Sequence, residues 1–194
     1  VSKNTALALL YVSGNPLSAL DLTGLNSLVS LGIAETGQSL TGINLAHPGN
    51  LTILELDPTQ LAQENFSALT SLFSLHIYDS KATALSLPAN TTLSAGQITG
   101  LTITAPLAAS LDFSAYAPGL NVLEIKPGRL NSISGASGLD NTKFWSLGIG
   151  SNRLPLSQIA PLTSAMDLTL PIASINVSPQ SQVFFESLAS RNKP

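Results

Sequence analysis

A six-residue pattern, L-x-x-L-x-[LIV], recurs along this chain at near-constant intervals and constrains its fold more than any other feature. It begins at Leu7 (LALLYV), Leu28 (LVSLGI), Leu51 (LTILEL), Leu72 (LFSLHI), Ile98 (ITGLTI), Leu120 (LNVLEI), Phe144 (FWSLGI) and Ala165 (AMDLTL). The intervals are 21, 23, 21, 26, 22, 24 and 21 residues. One unit is too short to bury its own apolar side chains. Stacked units bury them against each other, so the pattern predicts a solenoid held by contacts between neighbouring coils.

Alternation at period two marks each copy as a short strand with one buried face. Eight such strands at about 4.8 Å spacing form a parallel sheet roughly 34 Å wide. About ten residues on, several units carry a second apolar edge: Leu17, Leu20 and Leu22; Leu40, Ile43 and Leu45; Ala82, Leu85 and Leu87. Weaker copies run Leu107, Leu111, Phe113 and Leu130, Ile133. Each coil therefore has two inward edges joined by tight polar turns, and units this short leave little room for helix. In the longest unit, KATALSLPANTTLSAGQ is expected to bulge at a turn.

The unit at 7–17, L-x-x-L-x-V-x-x-N-x-L, resembles the leucine-rich repeat, with Asn15 in the asparagine slot and Asn152 repeating it in the seventh unit. In that family the asparagine bonds backbone groups of neighbouring turns. Elsewhere the slot holds Thr36, Thr59, Ser80, Pro106, Gly128 and Ala173, which would interrupt the ladder. The opening VSKNTALALLYVSGNPLSALDLTGLNSL is similar to the short repeats of exported and surface proteins of Bacteroidetes and related bacteria. The resemblance implies a right-handed leucine-rich-repeat superhelix. Its parallel sheet would line the concave face, with short second strands or turns on the convex side and little helix except at the C-terminus. It further implies a secreted or cell-surface bacterial protein whose concave face binds a protein, or a glycan, without catalysis.

The array is read as 1–178, with Val1–Ala6 as the tail of a preceding unit or a cap; the chain then reads as a fragment of a longer one. That alignment leaves the edge formed by Leu7, Leu10 and Val12 bare. Ser178-Pro179 is an N-cap followed by a first helical position. Val183, Phe184 and Leu188 share a helical face, so 179–194 is read as a capping helix, to about residue 190, and a tail.

Composition excludes several partners. With a net charge of −3 and only 10% charged residues, no basic stripe exists to bind nucleic acid. No apolar run reaches the ~18 residues of a transmembrane helix, so no membrane insertion is expected. The absence of cysteine excludes disulfides and thiolate metal sites.

Residues alternating with the buried ones point out from the sheet, and functional side chains of solenoids concentrate on such faces. The richest patch is Glu55, Asp57, His76, Tyr78 and Asp79, with Glu124 and Lys126 further along. The sharper reading of Glu55, Asp57, His76 and Asp79 is a metal site or an acid–base pair. Against it, an open sheet offers no pocket and no nucleophile accompanies His76 in a recognisable motif. The expected function is protein recognition by Glu55, Asp57, His76, Tyr78, Asp79, Glu124, Lys126 and Trp145, with no cofactor and no metal. A structural spacer is the competing class, favoured by the small residues Ser30, Gly32 and Ala34; an enzyme is the third. His47 falls in a turn, the sequons at Asn50, Asn65, Asn90 and Asn176 match chance in so Ser/Thr-rich a chain, and Thr102-x-Thr104 reflects strand preference.

FWSLGIGSNRL at 144–154 contains the only tryptophan and a Gly-x-Gly. A phosphate loop needs a following helix with its N–H groups aimed at the ligand. The repeat instead places Phe144, Leu147 and Ile149 inward, makes Asn152 the turn asparagine, and has Leu154 open the return edge. Ser146, Gly148 and Gly150 then leave a shallow shelf with Trp145 at its rim.

Overall fold

The computed structural model describes residues 4–35, 50–150, 152–164 and 174–176. In chain order the strands are β1 (Leu9–Tyr11), β2 (Ser30–Gly32), β3 (Ile53–Leu56), β4 (Ser74–Tyr78), β5 (Ala84–Ser86), β6 (Gly100–Thr104), β7 (Ser110–Asp112), β8 (Val122–Ile125), β9 (Ser132–Ser134), β10 (Ser146–Ile149) and β11 (Ser174–Asn176). They form two parallel sheets, an eight-stranded one ordered β1-β2-β3-β4-β6-β8-β10-β11 and a three-stranded one ordered β5-β7-β9. The described residues form a parallel β-sheet solenoid with little helix.

Register follows the repeat. Leu10, Leu31, Leu54, Leu75, Leu101, Leu123 and Leu147 stand opposite one another across successive strands. From the second coil onward these leucines are fully buried, as are the first-position side chains from Leu28 to Phe144 and the sixth-position ones from Ile33 to Ile149. A parallel ladder aligns equivalent residues, so each leucine packs on its counterparts above and below, contributing about 1.5–3 kcal/mol apiece. The second apolar edge is real as well: Leu85, Leu111 and Ile133 form the inward row of β5, β7 and β9. The second edge expected at Leu40, Ile43 and Leu45 lies outside the described residues, as do His47 and the helix expected at 179–190. At the β1 end, Leu7, Leu10 and Val12 are only partly buried, and Leu9 and Tyr11 are 59% and 57% exposed.

Two features depart from the repeat as read. The eighth strand is β11, pairing Ser146 with Ser174 and Leu147 with Ile175, seven residues beyond the Asp167–Thr169 expected from the unit start at Ala165, which itself lies outside the described residues. The segment IASINV at 172–177 carries the same pattern and is the copy the register selects. Helix α2 (Leu156–Ser164) occupies the return leg, where Leu154 is expected to open the second apolar edge. Ile159 and Leu162, three apart, are its buried contacts. A shorter helix, α1 (Pro58–Gln63), also replaces a turn. Asp57 is its N-cap, Pro58 its first residue, and Gln60 closes a capping box.

The interrupted asparagine ladder is replaced by amides at irregular positions. Asn152 Nδ2 donates to Lys126 O (3.1 Å) while its Oδ1 accepts from Leu130 N (3.2 Å), so it bridges two turns. Among the described residues, Asn15 Nδ2 donates to Val12 O and Ser13 O of its own coil. Elsewhere Gln60 donates to Ile33 O, Asn90 to Leu61 O and Glu64 O, and Gln97 to Leu69 O and Leu72 O. Each ties a coil to its predecessor. Because they satisfy carbonyls that a leucine row cannot, the stack tolerates departures from the repeat.

Candidate functional site

Strand register sets Tyr11, Gly32, Glu55, His76, Thr102, Glu124 and Gly148 in one row across the outer face of the large sheet. Tyr78 faces Thr104 two residues beyond His76 and Thr102, on the same side of the sheet. Seven of the expected contact residues, Glu55, Asp57, His76, Tyr78, Asp79, Glu124 and Lys126, therefore lie on three strands or at their C-terminal ends.

The carboxylates are committed within the chain. Asp57 Oδ1 accepts from Thr59 N (2.9 Å) and Gln60 N (3.0 Å) as the α1 cap, and Asp79 Oδ1 accepts from Lys81 N (2.9 Å) and Ala82 N (2.8 Å) in a turn. Glu55 accepts from Ser13 Oγ at 2.7 Å, reaching past β2. That bridge is possible because the intervening residue is Gly32, where a Cβ would run into the Tyr11 ring and lie 3.2 Å from Ser13 Oγ. Tyr11 folds over Gly32 and its hydroxyl meets Ser30 Oγ at 2.7 Å. Ser30, Gly32 and Ala34 are consequently buried rather than a bare small-residue face. Glu124 is ion-paired to Lys126 beside it.

Four half-buried side chains on this face, His76, Tyr78, Thr102 and Thr104, have no side-chain hydrogen bond within the described residues. Burial lowers the His76 pKa below its ordinary value of 6.5, outweighing the pull of Glu55 and Glu124 in the other direction; Lys126 adds to the lowering. The imidazole is thus neutral at neutral pH, able to donate and accept one hydrogen bond each. Among the described residues no three His, Cys, Asp or Glu side chains are grouped to hold a metal ion.

Trp145 sits apart from this face. It occupies the second position of its unit, on the rim where the strands begin, and backbone bonds link it in series to Asn121, Thr99 and Phe73 (Trp145 N to Asn121 O, 3.0 Å; Asn121 N to Thr99 O, 2.8 Å; Thr99 N to Phe73 O, 2.9 Å). The indole is half-buried and Phe73 is 48% exposed. The shelf expected over Ser146, Gly148 and Gly150 is narrower than their small side chains suggest. The ring of Pro127 closes on Gly150, where a Cβ would lie 2.6 Å from Pro127 N, and the Glu124 side chain leans on Gly148. The open volume lies on the other side of Trp145, a shallow shelf of about 490 Å³ over Gly96, Pro118 and Gly119.

A signal for the turn acids was present in the sequence. Thr23 N, Ser67 N, Thr92 N, Ser114 N and Thr142 N all bond the side-chain oxygen of an Asp or Asn two residues earlier, at 2.9–3.0 Å. This D/N-x-S/T spacing is that of an Asx turn, and the sequons at Asn65 and Asn90 are two of these turns.

No protein-family model matches the chain, and no curated protein matches it either. Among the described residues no helix is long and apolar enough to cross a membrane.

Proposed function

We propose that the chain is a non-catalytic interaction module of the leucine-rich-repeat kind, right-handed in its superhelix, from an exported or cell-surface bacterial protein. It recognises a protein ligand on the outer face of the large sheet. The observation that carries the proposal is the quartet His76, Tyr78, Thr102 and Thr104. Adjacent strands in strict register hold these side chains without side-chain hydrogen bonds among the described residues. A rigid backbone presenting an aromatic and uncommitted polar groups suits partner recognition, since little ordering is required on binding. The non-catalytic reading is supported by the engagement of Asp57 and Asp79 with backbone N–H groups, and the repeat kinship by the two-turn bridge of Asn152. Burial of Ser30, Gly32 and Ala34 under Tyr11 and its neighbours weighs against reading them as the bare face of a plain spacer.

The test is site-specific photocrosslinking in the secreted fraction of the source organism. A benzophenone side chain at Thr102 is expected to give an adduct of discrete mass that disappears in the His76→Ala, Tyr78→Ala double variant. The same probe at Ser132, on the three-stranded sheet, gives none. Equal labelling from both faces contradicts the assignment.

A further inference from the structure

The rim beside Trp145 holds a second arrangement of uncommitted groups, independent of the sheet-face reading. The shelf of about 490 Å³ is lined by Gly96, Thr99, Pro118, Gly119, Asn121, Thr142, Lys143 and Trp145, a volume within the ~300–1,000 Å³ range of small-ligand sites. Its polar members divide cleanly. Asp140 accepts from Thr142 Oγ1 at 2.6 Å and from Lys143 Nζ at 3.0 Å, so those two are occupied. The Thr142 hydroxyl, the Thr142 N–H and then Lys143 hold the Asp140 carboxyl down to about 2, so this arrangement persists through the physiological range. By contrast, the Trp145 indole N–H, the Asn121 amide and the Thr99 hydroxyl have no side-chain hydrogen bond among the described residues.

The three lie on consecutive coils, roughly 10 Å from end to end at about 4.8 Å per strand. The floor is made by Gly119, whose backbone approaches Gly96 and Ile98 so closely that a Cβ would lie 2.8 Å from Gly96 Cα and from Ile98 O. A further groove of about 170 Å³ runs on from Gly96, Pro118 and Gly119 toward Asn90 and Tyr116.

We propose that this rim binds a neutral oligosaccharide, with one pyranose ring on the Trp145 indole and its hydroxyls on Asn121 and Thr99. A pyranose has an apolar C–H face that suits an aromatic plane and a rim of hydroxyls that both donate and accept. The site offers the same combination, an amide and a hydroxyl that do both. It offers no free countercharge, because Lys143 and Asp140 neutralise each other, which disfavours anionic or cationic ligands. The adjoining groove gives a second sugar ring a place to lie.

Trp145 is the only tryptophan among three tyrosines, so emission excited on the red edge, beyond tyrosine absorption, reports this site alone. The full chain is titrated with the neutral hexasaccharides cellohexaose, mannohexaose, maltohexaose and fully N-acetylated chitohexaose. The proposal expects a saturable emission shift with at least one of them. Asn121→Ala should weaken that binding by about three- to tenfold, the effect of one lost hydrogen bond, with an unchanged melting curve. His76→Ala should leave it unaltered, separating this site from the sheet face. No emission change with any of the four at about 10 mM, a concentration at which even weak contacts register, overturns the proposal. So does a shift that Asn121→Ala and Thr99→Val leave intact.

Discussion

On the outer face of the sheet, Glu55, Asp57, Asp79 and Glu124 each hold another group of the chain; on the rim, the side chains of Trp145, Asn121 and Thr99 make no hydrogen bond among the described residues. The same repeat builds both regions, one from positions three, five and seven and the other from position two. The difference teaches where acids go in a chain with few charges. Each turn leaves backbone N–H groups without strand partners, and a carboxylate two or three residues upstream is the strongest acceptor within reach. Glu35 extends the rule. Held at φ 53, it accepts from Ser80 N, 45 residues away, at 2.6 Å. A cluster of acids in the sequence of such a solenoid therefore marks turns before it marks a site.

Glycines in the two regions offer the largest effect that can break this comparison. Gly119→Ala forces a methyl group against backbone on the rim and is expected to destabilise by about 1–3 kcal/mol. Gly148→Ala, on the face, meets only the flexible Glu124 side chain at 3.1 Å and is expected to change stability by about 0.5 kcal/mol or less. Urea denaturation of the two variants measures the contrast; equal losses would mean that the rim floor is not close-packed.

A smaller effect sharpens the face alone. His76 has its pKa lowered on folding, so between the folded and unfolded values the unfolded chain carries the extra proton. Its contribution is present in full above about 6.5 and is lost as pH falls through that value toward the folded one. His76→Gln should accordingly flatten the dependence of the denaturation midpoint on pH between about 7 and 5. An unchanged slope would show the imidazole to be freely hydrated.

The solenoid was legible because its signal is repeated. One leucine row specifies strand, register and core together, and every described coil from Leu28 to Ile149 follows it. Departures arise where local chemistry outweighs the row. Asp57-Pro58-Thr59-Gln60 is a helix start written in four residues, yet it falls where the period places an outward strand residue. The last strand lies in IASINV and not in AMDLTL; both satisfy the same pattern, so the leucine row alone does not choose between them. The site was half legible. Outward positions were readable from the alternation, but whether a side chain there is free depends on partners 22 to 45 residues away, as with Asn152, Ser13 and Glu35.

The central claim is that the acids of the sheet face belong to the fold and the polar groups of the rim do not. Paired chemical denaturation of Asp57→Ala and Asn121→Ala tests it most directly. Loss of the α1 cap is expected to cost about 0.5–2 kcal/mol, whereas Asn121→Ala should stay within about 0.5 kcal/mol of the parent chain. A neutral Asp57→Ala together with a destabilised Asn121→Ala would contradict the account.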